Sequence, residues 1–104
     1  MRVNWSPLAR GEARAIAALI AKDRPLAARR LLKRLRDRGR QAGAMPNSGR
    51  TVPEFARDDI REFIFGGYRL IYQIRLDRVE ILTVFDGRRL MPIDAPEADP
   101  GSGE

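Results

Sequence analysis

GGYRLIYQIRLDRVEILTVFDGRR, residues Gly66 to Arg89, reads as two β-strands that end in a pair of adjacent arginines. YRLIYQIR and RVEILTVF are rich in β-branched and aromatic residues and contain no proline. Alternation along the first puts Tyr68, Leu70, Tyr72 and Ile74 on one face, with Arg69, Ile71, Gln73 and Arg75 on the other. The second divides into Val79, Ile81, Thr83 and Phe85 against Glu80, Leu82, Val84 and Asp86. Both of its faces carry apolar residues, so it belongs in the interior of a sheet. LDR joins the two strands. Gly66-Gly67 joins the first to a preceding strand, REFIF, through a turn that requires positive φ. The three form an antiparallel meander.

Upstream, the period changes from two to 3.6. RVNW is a short extended segment with Val3 and Trp5 on one face. Ser6 serves as N-cap and Pro7 as first helical residue of a helix that runs to about Lys22. Its buried stripe is Ala9, Ala13, Ile16, Ala17 and Ile20. DRP breaks it, and a second helix with Pro25 in its first turn runs to about Arg38 and stops at Gly39. Its apolar face is Ala28, Leu31, Leu32 and Leu35, and its other faces are basic. A link this short makes the two helices an antiparallel hairpin. GRQAGAMPNSGR reads as a loop, and TVPEF as a short extended piece. The order is β-α-α-β-β-β, an α+β fold with the helix hairpin packed on one face of a small, mainly antiparallel sheet. The opposite face and the exposed end of the hairpin are left for a partner. The edge that Val3–Trp5 joins does not follow from the pattern. Residues 1–91 are expected to form one domain. Pro92–Glu104, with four acids and no base, is expected to be a disordered tail.

Composition narrows the chemistry. The 104 residues suffice for one modest core, and 43% of them are hydrophobic. No apolar run is long enough to span a membrane, and no secretory signal is visible. With no cysteine there are no disulfides or thiolate metal sites, which fits a cytoplasmic location. With no histidine, the commonest general base and metal ligand are missing. Asp58, Asp59 and Glu62 stand beside Arg57 and Arg61 and read as local ion pairs rather than a metal site. No metal, cofactor or catalytic residue is assigned. The net charge is +6, and residues 1–40 hold twelve Arg/Lys against three Asp/Glu. Such a surface attracts nucleic acid or an acidic protein. Arg69, Arg75, Arg88 and Arg89 are the target-binding candidates, as planar donors to phosphate or carboxylate. The competing reading pairs Arg69 with Glu62 or Glu80.

WSPLA at Trp5–Ala9, SGRTVPEF at Ser48–Phe55, DIRE at Asp59–Glu62, YRLIYQI at Tyr68–Ile74 and GRR at Gly87–Arg89 together resemble the ParE toxins. These belong to the RelE/ParE superfamily of bacterial type II toxin–antitoxin systems. The resemblance covers about residues 2–91. It implies a toxin that stabilises plasmids or acts as a chromosomal stress module, inhibits DNA gyrase by binding, and is silenced by a ParD-like antitoxin. Any DNA contact would then be indirect, through antitoxin or gyrase. The antitoxin candidates are Ile16, Ile20, Arg30, Leu31, Arg34 and Leu35. RelE-like relatives cut messenger RNA on the ribosome, and Arg69 matches a residue they use near phosphate. They also tend to carry a tyrosine or histidine just past the last strand. Here that region reads FDGRRLMPID, and arginine does not readily exchange a proton at neutral pH. Asp86 could do so only by departing from the family pattern. The ribosome-dependent endonuclease is therefore the alternative, and a binding module without toxicity is the third reading.

Overall fold

Gly66 and Gly67 take φ of 57° and 82°, a conformation open to glycine at little steric cost. They close the hairpin between β3 (Ile60–Phe65) and β4 (Tyr68–Ile74), which continues into β5 (Arg78–Asp86). The computed structural model describes residues 1–100. Its other elements are β1 (Arg2–Trp5), α1 (Pro7–Ala21), α2 (Pro25–Ala44), a 3₁₀ turn (Pro46–Ser48) and β2 (Arg50–Thr51). The sheet order is β1-β5-β4-β3-β2. β1 lies parallel to β5, and the remaining pairs are antiparallel. This is an α+β fold, and β5 is interior as its two apolar faces require.

Ser6 caps α1 by accepting the Ala9 N–H at 3.0 Å, while its hydroxyl donates to the Leu82 carbonyl. Ala9, Ala13 and Ala17 bury the α1 stripe, and Ala28, Leu31 and Leu35 that of α2. Both stripes pack on Leu70, Tyr72, Val79, Ile81 and Val84. Small alanines bring α1 close to the sheet, and the leucines of α2 fill the space behind.

Three expectations about the helices and the sheet change. The second helix does not stop at Gly39 but continues to Ala44, so GRQAGA is helical. Gly39 and Gly43 are buried there because β1 crosses them. A Cβ at Gly39 would lie 3.1 Å from the Trp5 ring, and one at Gly43 2.6 Å from Val3 Cγ2. These glycines serve close approach rather than helix termination. Second, strict alternation fails in β5. Ile71 faces Thr83 while Tyr72 faces Ile81, which leaves Leu82 as an extra residue. Beyond this bulge the faces exchange: Val84 joins the helix side, and Leu82 and Phe85 point to the other. Glu12 of α1 secures the irregularity, accepting the Thr83 hydroxyl at 2.6 Å and the Val84 N–H at 3.0 Å. Third, the outer face of the sheet is covered. Val52, Ile60, Ile71 and Phe85 form a second, smaller core with Phe55, Leu82 and Met91 over them.

Residues 92–100 have no regular secondary structure, yet parts of this stretch are held. Arg57 donates to the Pro96 carbonyl, Gln73 Nε2 to the Glu97 carbonyl at 2.9 Å, and the Leu76 N–H to Asp99 at 2.6 Å. Arg75 pairs with Asp99. A tail expected to be disordered through to Glu104 therefore makes defined contacts as far as Asp99; residues 101–104 lie outside the described ones.

Candidate functional site

β4 places Arg69 on the outer face, one residue from the glycine turn. Its guanidinium donates to Glu62 Oε1 at 2.6 Å and to both oxygens of Glu54 at 2.6 and 2.8 Å. It also lies over the Phe85 ring, 5.3 Å from the centroid. Its side chain is 11% exposed and that of Glu62 fully buried. Arg50 takes the other Glu62 oxygen at 2.9 Å. The Arg69 hydrogen bonds hold the Glu54 carboxyl at about 2, and the same bonds raise the Arg69 pKa. Arg69 is thus the centre of a four-residue ion cluster, and the competing reading with Glu62 describes it.

The other arginines lie elsewhere. Arg75 sits past the far end of β4, six residues and roughly 20 Å along the strand from Arg69. It pairs with Asp99 and with Gln73 Oε1 at 3.1 Å. Arg88 folds back on Asp86 at 2.7 Å and is 90% exposed. Arg89 is exposed beside it. Arg69 and the Arg88–Arg89 pair share one end of the sheet: the Gly87 N–H donates to the Gly67 carbonyl, and the Arg69 stem would lie 3.3 Å from a Gly87 Cβ. Arg75 is not part of that group.

At this end a groove of about 280 Å³ opens between α1 and the sheet, lined by Ile16, Leu19 and Ile20 on one side and Tyr68, Asp86 and Arg89 on the other. Leu19 is 67% exposed. Leu26, the second residue of α2, is another exposed apolar side chain close to the hairpin connection. Of the antitoxin candidates, Ile16 and Ile20 line this groove, while Arg30 is exposed on α2 and borders a separate hollow with Arg24, Pro25 and Leu26. Arg34 lies over Phe65, 4.9 Å from its centroid. Leu31 and Leu35 are buried in the main core. Leu35 also borders a second groove of about 520 Å³, between β1 and the hairpin, with Arg10, Arg14 and Arg36 among its lining residues.

Two residues at the first groove are not among the sequence-derived candidates. Tyr68 stands opposite Asp86 in the β4–β5 register, which brings a tyrosine next to Arg88 and Arg89. Glu12 belongs to the groove as well as to the bulge. The hairpin register is the signal for Tyr68; nothing in α1 marks Glu12. Tyr72 is spent on structure, its hydroxyl accepting the Gly49 N–H at 3.0 Å and donating to the Pro46 carbonyl at 2.6 Å. Burial raises its pKa. Asp86 is held at about 2 by its hydrogen bonds from Arg88, which makes it a weak base at neutral pH. Among the described residues no group of three or more acidic side chains is placed to hold a metal ion, and no helix is long and apolar enough to cross a membrane.

A solved chain titled "Chromosomal ParDE TA system from P. aeruginosa" has the same fold, with a TM-score of 0.67 at 15% identity. The alignment covers 81% of this chain and 92% of that one. No curated protein matches the chain in sequence. The profile of the ParE toxin of the type II toxin–antitoxin system, parDE, matches residues 3–91. The chain therefore belongs to the ParE toxin family.

Proposed function

We propose that this chain is a cytoplasmic bacterial toxin that inhibits DNA gyrase by binding and is silenced by an acidic, amphipathic segment of a ParD-like antitoxin. The observation that carries the binding part is the α1 groove, with its line of Ile16, Leu19 and Ile20 beside exposed Arg89. An amphipathic helix presents anchors at the spacing such a groove accepts. Charges speed the encounter, and the buried apolar anchors hold the complex. Arg88 and Arg89 are the exposed arginines at this end, Arg88 resting on Asp86, whereas Arg69 is committed to Glu54 and Glu62. Plasmid stabilisation fits this reading.

Inhibition without catalysis fits the chemistry of the same end. Asp86 is ionised and tied to Arg88, Tyr72 is engaged in the fold, and the chain has no histidine. One observation favours the second reading, a ribosome-dependent ribonuclease: Tyr68 lies in the groove with Arg89 and opposite Asp86. A phenol there could exchange a proton with RNA. The two readings separate in parallel assays of the purified chain, one following gyrase supercoiling and enzyme-linked DNA breaks, the other following cleavage of messenger RNA on translating ribosomes. The expected result is a response in the first alone, weakened by Arg88→Ala/Arg89→Ala and kept in Tyr68→Phe. Ribosomal cleavage that falls by about 10²-fold or more in Tyr68→Phe would replace it with the nuclease.

A further inference from the structure

The family match ends at residue 91, and Pro96–Asp99 beyond it are laid against the far end of the sheet. That end is at the β4–β5 turn, away from the α1 groove. Four donors meet the tail there. Arg57 and the Gln73 amide take the successive backbone carbonyls of Pro96 and Glu97. The Arg75 guanidinium and the Leu76 N–H take the two carboxylate oxygens of Asp99. Two carbonyls and then a carboxylate, spaced along an irregular stretch, are what an extended peptide offers a receptor. Pro96 helps by restricting the chain to an extended form before it binds. The residues on the protein side come from the loop before β3 and from the end of β4. They are fixed to one another: Arg57 holds Asp59 at 2.7 and 3.0 Å, and Asp59 holds Gln73 at 3.0 Å.

The geometry points to a binding site for an extended acidic peptide segment at Arg57, Gln73, Arg75 and the Leu76 N–H, which the chain's own residues Pro96–Asp99 occupy and from which an acidic segment of a partner protein displaces them.

Two observations support displacement rather than permanent docking. Pro96 and Glu97 make contact through their main-chain carbonyls and Asp99 through its carboxylate, and Ala95, Glu97 and Ala98 are exposed. Arg75 Nε is buried and has no hydrogen-bond partner among the described residues, so the tail leaves one donor of the guanidinium unused. A carboxylate approaching the Nε edge side-on would form the two parallel bonds that arginine favours. The cleft of about 280 Å³ there is bordered by Asp58 and Asp59 as well as by Arg75 and Asp99, and Nε is buried while the tail is in place, so an incoming carboxylate reaches it only once Asp99 has left. The nearby acid Asp59 does not repel it strongly, since Arg57 already neutralises that carboxylate.

A tethered ligand competes at an effective concentration in the millimolar range, so an acidic segment in trans must bind better than the tail to enter. The consequence is a threshold: the tail covers the Arg75 guanidinium against weak acidic contacts and yields to a segment that uses Nε. This inference concerns the far end of the sheet and stands independently of the antitoxin and gyrase readings.

The probe is a fluorescein-labelled peptide, PIDAPEADPGSGE, with the sequence of residues 92–104. Its binding is followed by anisotropy to the full-length wild-type chain and to full-length Asp99→Ala, whose tail lacks its charged anchor. Asp99→Ala should bind it at least about tenfold more tightly than wild type, and less tightly at about 300 mM than at about 50 mM salt. A peptide with Asn in place of its Asp99 equivalent should lose that binding, a control that needs no change in the protein. Asp99→Ala/Arg75→Gln should lose it too, with the unfolding midpoint measured alongside. In amide exchange, the Leu76 N–H should be protected in wild type and faster in Asp99→Ala. Equal affinity for wild type and Asp99→Ala, no binding to either, retained binding of the Asn peptide, or unchanged Leu76 exchange would each overturn the proposal.

Discussion

Arg69 shows how a residue that looks like a contact can be a structural member. Glu62 is buried without exposure and is balanced by Arg69 and Arg50. Removing one partner of such a pair leaves a charge in a low-dielectric setting, at a cost of about 3 kcal/mol. Arg69→Ala should therefore lower stability by about that amount, read as a shift in urea midpoint, and any lost inhibition should follow the unfolded fraction. Normal stability with lost inhibition would make Arg69 a direct contact after all. The cluster also predicts a pH effect. Glu54 titrates at about 2 in the fold against 4.5 unfolded. Its contribution is present above the unfolded value and is lost as pH falls from about 4.5 toward 2. Because Glu54 is partly exposed, the effect is moderate. The wild-type melting temperature should drop more steeply than that of Glu54→Gln across this window. Parallel curves would mean the bidentate contact is absent in solution.

At the scale of elements, the glycines of α2 join sequence to packing. A helix-favouring residue usually stabilises a helix, by about 1 kcal/mol for Gly→Ala. At Gly43 the new Cβ would meet Val3 Cγ2 at 2.6 Å and the Met1 carbonyl at 2.7 Å. Backbone cannot move aside as a side-chain tip can, and overpacking costs about 1–3 kcal/mol. Gly43→Ala should thus be net destabilising in chemical denaturation. An increase in stability would show that β1 does not cross the helix so closely. The same crossing explains why GRQAGA reads as a loop yet folds as helix: glycine signals both a helix end and a close contact, and only the neighbouring strand distinguishes them.

For the whole molecule, the net charge of +6 and the apolar α1 groove act on different steps of association. Leu19 is largely exposed, so Leu19→Asp should leave folding within about 0.5 kcal/mol of wild type. As a central anchor of the antitoxin complex its loss should cost about 2 kcal/mol, seen as a dissociation rate about thirtyfold faster. Arg30→Ala should instead slow association and flatten its dependence on salt. Arg34→Ala should do less, because that guanidinium already lies over Phe65. Surface plasmon resonance with a ParD-like antitoxin reads both rates. An unchanged dissociation rate for Leu19→Asp would move the antitoxin off this groove.

The local elements are legible because their causes are local. Ser6-Pro7 starts a helix, Gly66-Gly67 closes a hairpin, and the β-branched and aromatic runs between Arg61 and Phe85 form strands; each depends on a few neighbouring residues. The two apolar faces of β5 also place it inside the sheet, since an edge strand has less need of them. Where the chain departs from regularity, the cause is distant in sequence. The bulge at Leu82 is secured by Glu12, the length of α2 is decided by Val3 and Trp5, and the fate of Arg69 by Glu54 and Glu62. The tail after Met91 is too poor in apolar residues to announce its own order. Its residues Pro96–Asp99 are held by polar contacts to Arg57, Gln73 and Arg75, which periodicity does not report. The sequence by itself determined the elements, their order and the family, because propensity, capping and alternation are properties of short segments. Only the tertiary structure decided which arginines are free and which are committed, because a guanidinium's partner depends on register across strands and on loops folded over the sheet.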